Sequence, residues 1–213
     1  MEDRLVQAIV LVADLDAAGR SMQRMGFTVV EGGRHPGRGT ANLIVPFRGQ
    51  YLELLAVVDE AEARSTPQGL AVTDALSRHG PGLARWSVEP TDIDAVARRL
   101  GLPVEHRQRV RPDGITVHWR SVGVDEAWAE PWRCAYMCWD DPTTHPAGSA
   151  SGRVAHANGA DGFAALDVVV KDRAAALAWL GGAAPAGVHM SVGSQPGPVE
   201  LRLSSPAGEI PIG

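Results

Sequence analysis

Glu53 stands in the middle of the apolar stretch Tyr51–Val57. A carboxylate in such surroundings must be paired, bound to a metal or kept protonated, because burying it alone is costly. If the stretch is a strand, alternation puts Tyr51, Glu53, Leu55 and Val57 on one face. A solvent-facing Glu53 would then expose two aliphatic side chains, so the favoured reading is a pocket acid able to serve as a base or a ligand. Gln7 is likewise polar inside an apolar run, in phase with Ile9 and Leu11. A hydrogen-bonded core glutamine and a ligand both remain open for it.

Other residues with chemical potential fall into small groups. Cys134, Tyr136 and Cys138 share one strand face. Strand thiols are mostly small core hydrophobes, the functional alternatives being a soft metal ligand or an activated thiolate. The two cysteines are too close in one extended segment to bridge easily, and without a CxxC pair a zinc knuckle is excluded. His35 sits in a Gly/Pro-rich turn, where an imidazole contacting a ligand and one merely stabilising the turn are equally open. Arg107, Arg109 and Arg111 would share a strand face. Arg111 and Asp113 also have a plain role as turn residues, with Arg111 as an anchor for an anionic substrate the minority reading. Trp86, Trp119, Trp128, Trp132 and Trp139 cluster in one part of the chain and could form an aromatic wall or pack a core.

The elements that must position these residues repeat. Leu5–Ala13 reads as a buried strand, Asp14 as a helix cap, and Leu15, Ala18, Met22 and Met25 as a helical stripe closed by Gly26. Strands follow at Phe27–Glu31, Ala41–Pro46 and Tyr51–Val57. The same β-α-β-β-β order returns: Leu83–Glu89, a helix from Asp92 to Leu100 closed by Gly101, then Val104–Val110, Thr116–Val122 and Trp132–Trp139. Pro112-Asp113-Gly114 signals a hairpin turn. Asp14-Leu15-Asp16 aligns with Asp92-Ile93-Asp94, and Tyr51-Leu52-Glu53 with Tyr136-Met137-Cys138. The expected organisation is a first module over 1–60, a helical connector over 61–82, a second module over 83–140, a linker over 141–160 and a C-terminal partial βαβ module over 161–213. The fold class is therefore α+β, with the pocket expected between the copies.

Bulk composition narrows the partners. The 213 residues are 45% hydrophobic and 21% charged, with a formal net charge of -5. A mildly acidic chain without a basic stripe argues against nucleic acid. No apolar run reaches the roughly 18 residues a membrane helix requires. With no signal-like N-terminus, a reduced, cytoplasmic protein acting on a small molecule is expected. The Ala/Gly/Arg-rich, Lys-poor composition is of the kind found in high-GC bacteria.

The opening strand and helix, with Gly26-Phe27-Thr28-Val29, resemble a module of the vicinal-oxygen-chelate (VOC, glyoxalase/bleomycin resistance/dioxygenase) superfamily. Gly32-Gly33-Arg34-His35-Pro36-Gly37, Gly39-Thr40-Ala41-Asn42, Tyr51-Leu52-Glu53-Leu54-Leu55, Arg111-Pro112-Asp113-Gly114 and His156-Ala157-Asn158-Gly159-Ala160 are similar to its glyoxalase-like subgroup. The resemblance implies paired βαβββ modules forming a cup-shaped, partly open β-barrel, with a shortened third module at the C-terminus. It also implies one divalent metal (Zn, Ni, Fe or Mn), with ligands on the first and last strands of each module. By position these are Gln7, Glu53, Arg85 and Cys138. Arg85 offers only donors and cannot ligate, and Cys138 replaces the expected Glu, so absence of metal stands nearly level with its presence. Glu200, in a stretch matching that of Glu53, is a substitute ligand.

Arg85 could instead pair with Glu53, hold an anionic group, or lie at the surface. The resemblance makes Glu53 and His35 the catalytic candidates. Arg85, Arg111, Asn42, Tyr51, Tyr136, Cys138 and His156 are the candidate substrate contacts. The implied activity is proton transfer, isomerisation or lyase chemistry on a carbonyl- or carboxylate-bearing metabolite. The alternative is a non-catalytic protein that sequesters an antibiotic or other natural product. Homodimer formation is compatible with both.

Overall fold

The computed structural model describes residues 2–111, 113–146 and 154–213. Pro112 of the expected turn and residues 147–153 of the expected linker lie outside the described residues. The chain opens with β1 (Arg4–Leu11), α1 (Leu15–Arg24), β2 (Val30–His35), β3 (Thr40–Pro46) and β4 (Tyr51–Val57). Two connecting helices follow, α2 (Glu60–Arg64) and α3 (Pro67–His79). The order then returns as β5 (Gly82–Glu89), α4 (Ile93–Leu100), β6 (Glu105–Val110) and β7 (Thr116–Val122), with α5 (Val124–Ala129) before β8 (Ala135–Trp139).

Local chemistry explains the repeat. Asp14 and Asp92 each accept a hydrogen bond from the backbone N–H three residues on, at 2.9 Å, satisfying a donor the helix start leaves orphaned. Gly101 closes α4 with a left-handed φ of 66°, a conformation that favours glycine. The second strand begins later than its residue types suggest. At Phe27–Val29 the chain is instead held by the C-terminal segment, Thr28 N–H donating to His156 Nδ1 at 2.9 Å, and sheet pairing starts only at Val30.

The fold is α+β, with the two modules joined in one eight-stranded sheet of order β2-β3-β4-β1-β5-β8-β7-β6. β1 and β5 pair antiparallel at the junction, Gln7 opposite Ser87 and Ile9 opposite Arg85. The sheet curls into a cup-shaped, partly open barrel. Its edge strands β2 and β6 meet at an unsealed seam that is crossed by a side-chain hydrogen bond.

A second sheet, β10-β9-β11-β12, is formed by β9 (Gly162–Val170), β10 (Val188–Val192), β11 (Gly197–Ser204) and β12 (Ile210–Ile212), with α6 (Arg173–Trp179) after β9. This unit repeats the order β-α-β-β, but the strand after its helix lies directly beside the first and parallel to it. In the two modules it is instead the last strand that pairs in parallel with the first.

The main core lies between the convex side of the large sheet, its helices and the second sheet. Leu52, Trp86, Val88 and Tyr136 meet Leu166, Trp179, Leu201 and Leu203 there. A smaller apolar cluster of Ile9, Leu11, Leu55, Val72, Ala75 and Trp128 plugs the concave side, where α3 and α5 pack. Full burial of each large side chain contributes about 1.5–3 kcal/mol. Among the described residues no helix is long and apolar enough to cross a membrane.

Candidate functional site

The concave side of the barrel encloses a cavity of about 630 Å³. Its floor comes from alternate residues of β3, β4, β1 and β5, with Ile44, Glu53, Ile9 and Arg85 in one row across four neighbouring strands. Glu53 is buried, 7% exposed, and both its oxygens are held. Gln7 Nε2 donates to Oε2 and Asn42 Nδ2 to Oε1, each at 2.6 Å.

The two amides cannot turn round. Arg109, which only donates, reaches Asn42 Oδ1 at 3.2 Å, and the Glu53 carboxylate, which only accepts, takes the Gln7 NH2, leaving Gln7 Oε1 to accept from Ser87 Oγ at 2.6 Å. Gly32 makes room for Asn42. A Cβ at that position would collide with the Asn42 amide oxygen.

The chain of hydrogen bonds continues to His35. Arg109 also reaches His35 Nε2 at 3.1 Å, while Nδ1 lies 2.9 Å from Thr40 Oγ1. A guanidinium only donates, so Nε2 accepts and the proton sits on Nδ1, facing Thr40. Burial pushes the His35 pKa down to about 4, with Glu53 opposing and Arg109 and Arg38 reinforcing. His35 is therefore a neutral imidazole at physiological pH.

Arg85 is 7% exposed and lies over the Trp128 ring at 5.0 Å. Its buried Nε has no hydrogen-bond partner among the described residues. Burial lowers its pKa to about 10, with Glu53 and Tyr51 opposing, which leaves it charged. No ion pair joins it to Glu53, so the direct pairing considered from the sequence is not formed. The two feel each other across Ile9. The rest of the wall includes Arg38, Arg107, Arg109 and the rings of Tyr51, Trp119, Trp128 and Trp139. Trp119 and Trp139 stack at 5.2 Å.

Gln7, His35, Asn42, Tyr51, Glu53 and Arg85 thus line one cavity. The other candidates do not. Tyr136 and Cys138 point to the convex side, Tyr136 donating to the Trp179 carbonyl at 2.9 Å and the Cys138 thiol facing the Pro90 carbonyl. The physical reason is register. Gln7 pairs with Tyr51 and Ser87 with Ala135, so the counterpart of Glu53 on β8 is Met137, and the counterpart of Gln7 on β5 is Ser87. The alignment through Tyr136-Met137-Cys138 is one residue out.

Arg111 lies beyond the end of β6 and pairs with Asp113 at 2.6 Å, outside the cavity. His156 is buried at 6% exposure between Phe27 and Phe47 and fastens the C-terminal segment to the Pro46 carbonyl. Glu200 is on the second sheet, paired with Arg202.

Sequence reasoning missed Arg38, Arg107, Arg109 and Ser87 as site residues. Alternation along β6 was a signal for two of them: Arg107 and Arg109 do share a face, and that face is the cavity wall. Of the five clustered tryptophans, Trp119, Trp128 and Trp139 line the cavity, while Trp86 and Trp132 pack the core.

The residues present do not fit the divalent metal that the resemblance implies. Of the four structurally equivalent positions, Gln7 and Glu53 could ligate, but Gln7 Oε1 is engaged by Ser87, and Met137 supplies only a weak thioether. The fixed charge of Arg85 in the same floor row disfavours a dication. Among the described residues no group of three or more His, Cys, Asp or Glu is arranged to hold a metal ion.

Comparison with known proteins agrees with this architecture. The pattern of the glyoxalase-like domain matches residues 8–184. The chain belongs to the glyoxalase-like domain family. No match was found among curated proteins. Among solved structures, this glyoxalase-like chain is similar to a hypothetical protein from Staphylococcus aureus, with 15% identity, 98% of this chain and 84% of that one covered, and a TM-score of 0.63. It is also similar to methylmalonyl-CoA epimerase from Mycobacterium tuberculosis, with 20% identity, 64% and 86% covered, and a TM-score of 0.43. At these identities the likeness concerns the fold alone.

Proposed function

We propose that this glyoxalase-like protein is an enzyme that moves a proton at a carbon next to a carbonyl or carboxylate in a small anionic metabolite, as an isomerase or lyase, with Glu53 as the base. The observation that carries the reading is the setting of Glu53. Each carboxylate oxygen takes one fixed amide N–H and keeps a lone pair free, and the side chain lines a cavity rich in guanidinium groups. Proton abstraction beside a carbonyl builds negative charge on oxygen, and fixed cations already in place stabilise that charge without reorganising. Arg85 and Arg109 are the groups assigned to that role. Neutral His35 orients Arg109 and is not itself the base, since its accepting nitrogen is occupied.

The test is exchange of substrate C–H for deuterium in heavy water, across a panel of 2-oxo acids and 2-substituted acids, followed by mass spectrometry. Glu53→Gln removes the base while preserving shape, and is expected to lower exchange by a factor of about 10²–10⁴. Exchange that survives Glu53→Gln at the wild-type rate would overturn the reading.

The aromatic half of the cavity favours one second reading, reversible sequestration of an antibiotic or other natural product by stacking on Trp119 and Trp139. In that case a bound compound is recovered unchanged after long incubation and Glu53→Gln leaves its affinity intact.

A further inference from the structure

The positive charges lining the cavity fall into two places. Arg107 is neutralised by its ion pair with Glu105. Among the described residues no carboxylate is in ion-pair contact with Arg38 or Arg109, and Arg109 spends one nitrogen on two neutral partners, Asn42 and His35. They stand on the wall formed by β6 and the β2–β3 turn. Burial, together with the nearby Arg107 and Arg109 charges, lowers the Arg38 pKa, while Glu53 raises it.

Arg85 is separate, on the floor at β5 with a buried unpartnered Nε. Three inter-strand steps of about 4.8 Å each lie along the sheet between β3 and β5. Glu53 is between the two groups: it is the carboxylate felt by Arg85, by Arg38 and by His35. Three guanidinium charges against the one Glu53 carboxylate leave an excess of two. Asp125, the other acid on the lining, is exposed.

We infer that the ligand of this cavity is a small dianion, with one carboxylate on Arg85 and a second anionic group, carboxylate or phosphate, on Arg38 and Arg109, so that its central carbon lies against Glu53. The inference deepens the proposed function and rests on it for the role of that carbon. Its logic is electrostatic. Each guanidinium offers a forked pair of donors matched to a carboxylate or phosphate, and a charge-assisted hydrogen bond to a desolvated anion favours binding by about tenfold or more. A monoanion would leave one cluster without a counter-charge.

The experiment is isothermal titration calorimetry of the full chain at low salt with succinate and glutarate as dianion probes, 2-phosphoglycolate, which carries between about two and three charges at neutral pH, as the phosphate-bearing probe, and butyrate as the monoanion. The expected result is that at least one dianion binds about tenfold or more tightly than butyrate, with the larger salt dependence. A best ligand among the dicarboxylates assigns a carboxylate to the second place; preference for 2-phosphoglycolate assigns a phosphate. Arg38→Met and Arg85→Met are each expected to bring the dianion down to the butyrate level. Should Arg85→Met fail to fold, the wild-type comparison and the more exposed Arg38→Met still decide. Equal affinity for butyrate and every dianion, or unchanged dianion affinity in Arg38→Met, overturns the inference.

Repeating the titration on Glu53→Gln separates this inference from the reading it rests on. Dianion selectivity there without deuterium exchange in the wild type sinks the proton-transfer reading alone. Exchange on monoanions without dianion selectivity sinks the dianion alone.

Discussion

Arg109 on β6 donates to Nε2 of His35 on β2, 3.1 Å across the seam at which the eight-stranded sheet stays open. The bond exists only while the imidazole is neutral, because a protonated ring would turn a second donor towards the guanidinium. His35 and the buried His145 both have their pKa lowered from 6.5 to about 4, chiefly by burial. A histidine depressed in the folded state binds its proton more readily when unfolded. Between about pH 6.5 and 4 the unfolded chain therefore holds more protons, and stability falls as the pH falls through that window. Urea midpoints are expected to be level above pH 7, lower at pH 5 and lower again at pH 4. His35→Gln should flatten part of that slope, and a midpoint that does not move between pH 7 and 5 in the wild type would contradict the neutral-imidazole assignment.

Gly32, at an irregularity of the β2–β3 pairing, does not have the positive φ that favours glycine, so alanine there would meet no left-handed strain. What alanine would do is push Asn42 off Glu53, since its Cβ would occupy the space of the amide oxygen. Overpacking of this kind costs about 1–3 kcal/mol, and misplacing a reacting group by about 1 Å can cost 10²-fold in rate. Gly32→Ala is expected to keep the fold and to lose deuterium exchange by about one to two orders of magnitude. Paired with Asn42→Ala, which removes the clashing group, it should add little further loss. Strict additivity of the two substitutions would show that the contact is not the cause.

Ser87 is wholly buried and donates its hydroxyl proton to Gln7. Ser87→Ala leaves the Gln7 carbonyl oxygen unsatisfied, at a cost of about 1–3 kcal/mol, readable as a lower urea midpoint with unchanged slope. It also removes one of the two hydrogen bonds that fix the Gln7 amide, so the NH2 on Glu53 is held less firmly. Ser87→Thr, which keeps the hydroxyl, should recover most of the exchange activity that alanine loses, whereas a purely steric role for Ser87 would make threonine the worse of the two.

How much of this was legible in the sequence depended on how local the cause was. The repeat could be read because Asp14 and Asp92 cap their helices through contacts three residues away. That Gln7 and Glu53 each turn to a pocket could be read from parity within one strand, and the resemblance put them at one site; their direct hydrogen bond is what the structure adds. Parity does not say which face is concave. On β8 the set Tyr136 and Cys138 lies against Trp179 and Pro90, and Met137 and Trp139 face the cavity. That choice is made by the second sheet, contributed by residues far along the chain. The place of His156 could not be read for the same reason, its partners Thr28 and Pro46 being more than 100 residues away. Arg111 lies outside the cavity because β6 ends at Val110, so the alternation that brings in Arg107 and Arg109 no longer applies.

The register also says how a metal site could be put back. Ser87 stands opposite Gln7, and Met137 is two residues past Ala135, the partner of Ser87, just as Glu53 is two past Tyr51, the partner of Gln7. The combined substitution Ser87→His and Met137→Glu would therefore present His, Gln and two Glu to one point, a donor set suited to a divalent transition metal. Removing the Ser87 hydroxyl also releases the Gln7 oxygen for ligation. The fixed charge of Arg85 opposes the ion, so Arg85→Met is added as a third change. The triple variant is expected to bind about one equivalent of Ni or Zn by elemental analysis and to melt at a higher temperature when loaded. The wild type should retain less than a tenth of an equivalent by the same analysis, an order-of-magnitude expectation from its two missing ligands. It should lose neither stability nor deuterium exchange on treatment with EDTA. Loss of exchange with EDTA, restored by adding one metal back, would show that Gln7 and Glu53 suffice to hold an ion.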